Sequence, residues 1–175
     1  MYRYGVGLAL IALVAAGCTK EHAGALPSLS ATPTPTGTSS TPTSTATTPA
    51  QQIATAARAY FAALESAGKT GDVTTLSALL SPGCECREQV TAIRRDAAAG
   101  RHVTTTFTVE EVHTHEVGAT AGAAAVTYSS PASRLVDANG KTIRSYAARA
   151  HAGLDLTFRK TGGRWLLAHV IGLGV

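Results

Sequence analysis

At 175 residues, with 15 Lys and Arg against 11 Asp and Glu, the chain carries a formal charge of +4 and only 5% aromatic residues. That charge is too small and too scattered for a nucleic-acid footprint. No apolar run reaches the ~20 residues of a membrane-spanning helix, and the length left after a leader and a linker suits a single domain.

Arg3 and the free amine precede an apolar stretch over residues 6–16. Its length fits a signal-peptide core and falls short of a membrane span. Small residues follow, Ala15, Ala16 and Gly17, and then Cys18. The segment Leu13-Val14-Ala15-Ala16-Gly17-Cys18 resembles the lipobox of bacterial lipoproteins, with Ala15 where Leu is usual. The resemblance implies removal of residues 1–17, diacylglyceryl on the Cys18 sulfur, and anchorage on the extracytoplasmic face of the cell membrane. Two acyl chains give a stable anchor at about 0.8 kcal/mol per buried methylene, whereas one binds only marginally. The alternative is an ordinary signal peptide that leaves Cys18 a free thiol.

Residues 18–50 read as the lipidated cysteine and a tether. From residue 23 onward this stretch is Thr, Pro, Ser, Ala and Gly, with no charge and two leucines. Such a composition buries too little apolar surface to offset ordering entropy, so a disordered spacer is expected. Its prolines favour extended polyproline II, with a stretched limit of roughly 85 Å and a coil average of ~30 Å. The Ser/Thr density is mucin-like.

Residues 51–175 read as the folded domain. Ile53, Ala56, Ala57, Tyr60, Phe61 and Leu64 recur at helical spacing and predict an amphipathic helix ending at Gly68. Asp72 caps a second helix, with Val73, Leu76, Leu79 and Leu80 inward, and Ser81-Pro82-Gly83 breaks it. A third helix is expected over 85–99, with Val90, Ile93 and Ala97 on one side and Gly100 beyond its end. The period then changes to two: 102–117, 124–128, 154–159 and 165–171 read as strands. Asn139-Gly140 signals a two-residue type I′ hairpin, and Gly162-Gly163 a second one. Helices followed by antiparallel strands predict an α+β fold, three N-terminal helices on one face of a curved four-stranded sheet.

Tyr60-Phe61 on an amphipathic helix, Thr70-Gly71-Asp72, Leu76 with Leu79-Leu80, and four strands ending at Trp165 together resemble the cone-shaped nuclear-transport-factor-2-like superfamily. With the lipobox, the Thr/Pro tether and Ser81-Pro82-Gly83-Cys84, the chain resembles, more narrowly, actinobacterial lipoproteins of unknown function. It has one residue, Glu85, between its cysteines where that group often has two. The resemblance implies a cone cavity and makes a homodimer through the sheet an expected state.

Four groups of residues could carry chemistry. Cys84 and Cys86 form an even pair outside the reducing cytoplasm, which points to one disulfide fixing the turn before the third helix. Free thiols, a metal pair and a redox bridge are the other readings. Glu111, His113 and His115 share strand parity with Phe107 and Val109, so all five would face one side unless a bulge near Val112 flips the pattern. A His-x-His pair can hold zinc or copper, but no further ligand is evident and a strand end with polar residues is the plainer reading. Trp165 and His169 also share parity and, with Tyr60, would line the cone pocket or pack as core. Asp155 opposes Leu154, Leu156 and Phe158 in parity and points to solvent.

No phosphate loop, metal quartet or nucleophile elbow is present, so no catalytic residue and no cofactor is assigned. The sequence therefore points to a lipid-anchored envelope module that binds, through a sheet surface, an envelope protein or cell-wall partner. A carrier or sensor of a small apolar ligand in the cone cavity is the alternative, and an isomerase-like enzyme ranks below both.

Overall fold

The computed structural model describes residues 47–173. Cys18, the leader 1–17 and the tether up to residue 46 lie outside them. Among the described residues, no helix is long and apolar enough to cross a membrane.

Helix α1 (Pro49–Thr70) starts two residues inside the stretch grouped with the tether. Thr48 caps it: its hydroxyl accepts from the Gln51 N–H, and the Gln51 side chain accepts from the Thr48 N–H at 2.8 Å. With Pro49 at the first helical position, this is a capping box on a segment rich in helix breakers. Ile53, Ala57, Tyr60, Phe61, Ala63 and Ala67 are buried, the stripe the spacing predicts plus two alanines. The expected end at Gly68 is incorrect. A glycine inside a helix costs only about 1 kcal/mol, and the helix runs on through the exposed Lys69 and Thr70. Termination falls on Gly71, in the left-handed region at φ 77°, whose N–H returns to the Ala67 carbonyl at 2.8 Å. An added Cβ there would stand 2.5 Å from the Ala97 Cβ, so α3 also requires this glycine.

The three-helix layer is corrected in proportion. Helix α2 (Thr74–Leu79) has six residues; the Asp72 carboxylate accepts from the Thr74 N–H at 2.9 Å, and Leu76 is buried. Helix α3 (Arg87–Ala98) buries Val90 alone, and Ile93 is only partly covered. One long helix covers the sheet.

Among the described residues seven strands follow: β1 (His102–Thr104), β2 (Thr108–His115), β3 (Ala121–Ser130), β4 (Ser133–Val136), β5 (Thr142–Tyr146), β6 (Arg149–Thr161) and β7 (Arg164–Leu173). They form two antiparallel sheets, β2-β3-β6-β7 and β1-β4-β5. The four-stranded sheet is the expected one; the three-stranded sheet was not foreseen. The run 102–117 is not one strand, because residues 105–107 leave the ladder. There the Phe107 N–H donates to the Glu65 carboxylate at 3.0 Å, and its ring packs on Phe61 and Tyr128.

The two glycine turns differ. Gly162 and Gly163 both have positive φ, 58° and 79°, and close the two-residue β6–β7 hairpin. At the β4–β5 connection only Gly140 is left-handed, at φ 78°, so the type I′ expectation fails. The Asp137 carboxylate accepts from the Asn139 and Lys141 N–H groups, both at 2.9 Å. It thereby selects a longer turn with glycine in its last position.

The core lies between α1 and the four-stranded sheet. Tyr60, Ile53, Leu76, Val126, Leu156, Phe158 and Leu167 are its largest fully buried side chains. Gly122 on β3 lets α1 approach closely: a Cβ there would lie 2.6 Å from the Ile53 Cδ1.

Candidate functional site

The side of the sheet facing α1 is packed at its centre, with a pocket of about 510 Å³ at the edge beside Arg58, Glu65, Phe107 and Val109. Tyr60, Phe61, Phe107 and Tyr128 form an aromatic cluster with paired centroids 5.1–5.9 Å apart, edge-on except for the tilted Phe61–Tyr128 pair. Tyr60 is 2% exposed, its hydroxyl donates to Gln89 Oε1 at 2.8 Å, and burial pushes its pKa up to about 12. Trp165 is 6% exposed and its indole N–H donates to Gln52 Oε1 at 3.0 Å. Both aromatic members of the proposed pocket are thus core residues with satisfied polar ends.

His169 does not join them. The β6–β7 register shifts between Thr157↔His169 and Phe158↔Leu167, so Ala168 is an extra residue in β7. A bulge moves every later side chain to the opposite face. Trp165 and Leu167 point to the core, whereas His169, Ile171 and Leu173 are exposed on the other face. The expected Tyr60–Trp165–His169 pocket is therefore not formed.

A second bulge corrects the β2 reading in the same way. The register shifts between Val109 and Glu111, making Glu110 the extra residue. Phe107, Val109 and Val112 pack against the core. Glu111, His113 and His115 share a face with one another but not with Phe107 and Val109. The bulged Glu110 carboxylate meets His151 Nδ1 at 2.7 Å. Hydrogen bonds from His151 and then Ser129 hold that carboxyl below the usual carboxylate range.

The bulges assemble the outer face, away from α1. His115 Nε2 lies 3.0 Å from Asp155 Oδ1 across β3. The reach is possible because the intervening strand carries Ala123 and Ala125 between them, small residues that leave a trough. Parity along β6 predicts that Asp155 faces solvent, and it is on the solvent side, but as a partner of His115. That pairing was not foreseen, since register across three strands is invisible along one. Among the described residues, no group of three or more His, Cys, Asp or Glu side chains converges to hold a metal. His113 and His115 lie on this face, and the His115 imidazole is oriented by the Asp155 carboxylate.

At the other end of the same face, Thr157, Arg159 and Thr161 of β6 lie beside His169 of β7 and the Ser81-Pro82-Gly83 turn. That turn is tied to β7 by the Ser81 N–H donating to the Leu167 carbonyl at 2.8 Å. Arg87 donates to the Leu80 and Ser81 carbonyls. Cys84 and Cys86, with Cα atoms 5.1 Å apart, are bridged just beyond it, Cys84 buried and Cys86 preceding α3.

No family model matches the chain, and a search among curated proteins gives no match. Among solved structures it is similar to the intermembrane-space region of the chloroplast protein ARC6. The identity is 12% over 72% of this chain and 97% of that one, with a TM-score of 0.54. It also matches an uncharacterised protein with a cystatin-like fold from Caulobacter vibrioides, at 17% identity over 70% and 88% of the two chains and a TM-score of 0.49. A nuclear transport factor 2 (NTF2-like) superfamily protein from Salmonella enterica serovar Typhimurium matches at 16% over 72% and 90%, with a TM-score of 0.48. The likeness to the ARC6 region shows a shared α+β fold and nothing about activity.

Proposed function

We propose that the chain is an extracytoplasmic lipoprotein, anchored by two acyl chains on Cys18, whose domain binds an envelope protein through the outer face of its four-stranded sheet. We assign its fold, on the same basis, to the nuclear-transport-factor-2-like cone. The lipobox-like segment and the Thr/Pro spacer support the anchor and the need to reach a partner. One observation carries the binding reading: the sheet's two faces are treated oppositely. The inner face is packed with aromatic and aliphatic side chains, while the outer face presents His113, Asp155, His169, Ile171 and Leu173. Ile171 and Leu173 are 47% and 46% exposed, apolar area that association would cover.

Against the carrier reading, Tyr60, Phe61 and Tyr128 fill the centre of the space between α1 and the sheet, leaving a pocket of about 510 Å³ at its edge beside Arg58, Glu65, Phe107 and Val109. Among the described residues, the enzyme reading has two His–carboxylate pairs, His151–Glu110 with its imidazole 80% exposed, and His115–Asp155. The latter pair lies on an open face, with side chains 35% and 26% exposed, and lacks the water exclusion that strengthens acid–base catalysis.

The test is photo-crosslinking in native membranes, with the photoreactive residue at Ile171 on the outer face or at Ala62 on the exposed side of α1. A discrete adduct from Ile171 and none from Ala62 is expected. An adduct with an envelope protein supports the proposal; self-adducts would instead make the face a dimer interface. No adduct from Ile171, or equal adducts from both positions, overturns it.

A further inference from the structure

The outer face is not uniform, and its β6–β7 end has the chemistry of an anion site. Thr157, Arg159 and Thr161 alternate on one side of β6, so their side chains stand in a row. His169 is directly opposite Thr157 across the ladder, close enough for both to reach one ligand atom. Ser81 faces them from the turn bound to the edge of β7. Ala168, the bulged residue, puts only a methyl group on the floor. The result is a groove of about 530 Å³.

Its lining contains no acidic residue. Among the described residues, Arg159, like most of the other lysines and arginines, has no ion-pair partner, so its charge is available to a ligand. A guanidinium, an imidazole and three hydroxyls offer more N–H and O–H donors than the two oxygens of a carboxylate can accept. They suit a tetrahedral phosphate, for which arginine supplies a charge-assisted fork. The volume exceeds what a bare phosphate fills, leaving room for an esterified group.

We infer that the groove between Arg159, His169 and the Ser81-Pro82-Gly83 turn binds a phosphate ester. The inference rests on the reading of the outer face as a binding surface and names the chemistry of one ligand there. It also gives the Cys84–Cys86 bridge a task. Together with Arg87, the bridge fixes the turn that forms one wall of the groove.

The experiment is calorimetric titration of the full chain in neutral detergent, at constant ionic strength, with inorganic phosphate, with glycerophosphoglycerol and with acetate. Saturable binding of a phosphate compound and none of acetate is expected. Arg159→Gln should weaken it by about tenfold or more. Thr157→Val, which keeps the β-branched shape of the strand, should weaken it several-fold and serves should Arg159→Gln not fold. Lys141→Gln, in the distant β4–β5 turn, should leave it unchanged. Tighter binding of the diester assigns a lipid headgroup; tighter binding of inorganic phosphate assigns a phosphate monoester. The inference fails if neither compound binds, if acetate binds equally well, or if Lys141→Gln weakens binding as much as Arg159→Gln. Loss of phosphate binding with the Ile171 adduct retained would remove this inference and leave the binding-face reading standing.

Discussion

Tyr60 occupies the centre of the inner face with its hydroxyl bonded to Gln89. Desolvation penalises its anionic form, so the phenol is pushed from 10 up to about 12. Because the folded state holds the proton more tightly than the unfolded chain, the stabilisation is complete below pH 10. It fades as pH rises through about 12. At 1.36 kcal/mol per pH unit this amounts to roughly 3 kcal/mol. Urea denaturation at increasing pH should show a loss of that order across this window in the wild type, and little of it in Tyr60→Phe. An equal loss in the variant would place the titrating group elsewhere. At the acidic end, the Glu110 carboxylate keeps its charge, and its contact with His151, to lower pH than an ordinary glutamate.

Strand β7 shows how one residue redirects an element. Along the sequence Trp165 and His169 have the same parity, and nothing local marks Ala168 as unpaired. The bulge is decided by β6, whose Thr157 and Phe158 pair with His169 and Leu167 in turn. Trp165→Ala should therefore cost about 3–5 kcal/mol in thermal or urea unfolding, as expected for a large buried side chain. His169→Ala should stay within about 0.5 kcal/mol, as for an exposed position. A comparable cost for the two would restore the shared face. Strand β2 follows the same logic at Glu110. Here the candidate site was legible as residue types and spacings, but not as faces, because each bulge needs its partner strand to exist.

Phe61 links the parts of the whole domain. Its ring on α1 meets Tyr60 on the same helix, Phe107 in the connection between the two sheets, and Tyr128 on β3. Phe61→Ala should cost about 3–5 kcal/mol, a large share of the 5–15 kcal/mol typical of a domain. Equilibrium urea unfolding followed by both helical circular dichroism and Trp165 fluorescence checks it. Coincident, lowered midpoints are expected, because α1 and the four-stranded sheet share this cluster. A midpoint shift in only one probe would show that the two layers unfold separately.

Several features were determined by the sequence alone because their causes are local. The α1 stripe follows from side-chain spacing, the β6–β7 turn from two adjacent glycines free to adopt positive φ, and the α+β order from the change of hydrophobic period. The lipobox-like hexapeptide likewise stands as a local expectation. Non-local facts required the tertiary structure. The end of α1 moved to Gly71 because α3 packs against it, and Phe107 left the ladder because Glu65 captured its N–H. Bulges at Glu110 and Ala168 reassigned three histidines to the outer face. The small side chains of Ala123 and Ala125 brought His115 to Asp155 across an intervening strand. Hydrophobic period can be read along a chain, but register is a relation between strands and is fixed only when they pair.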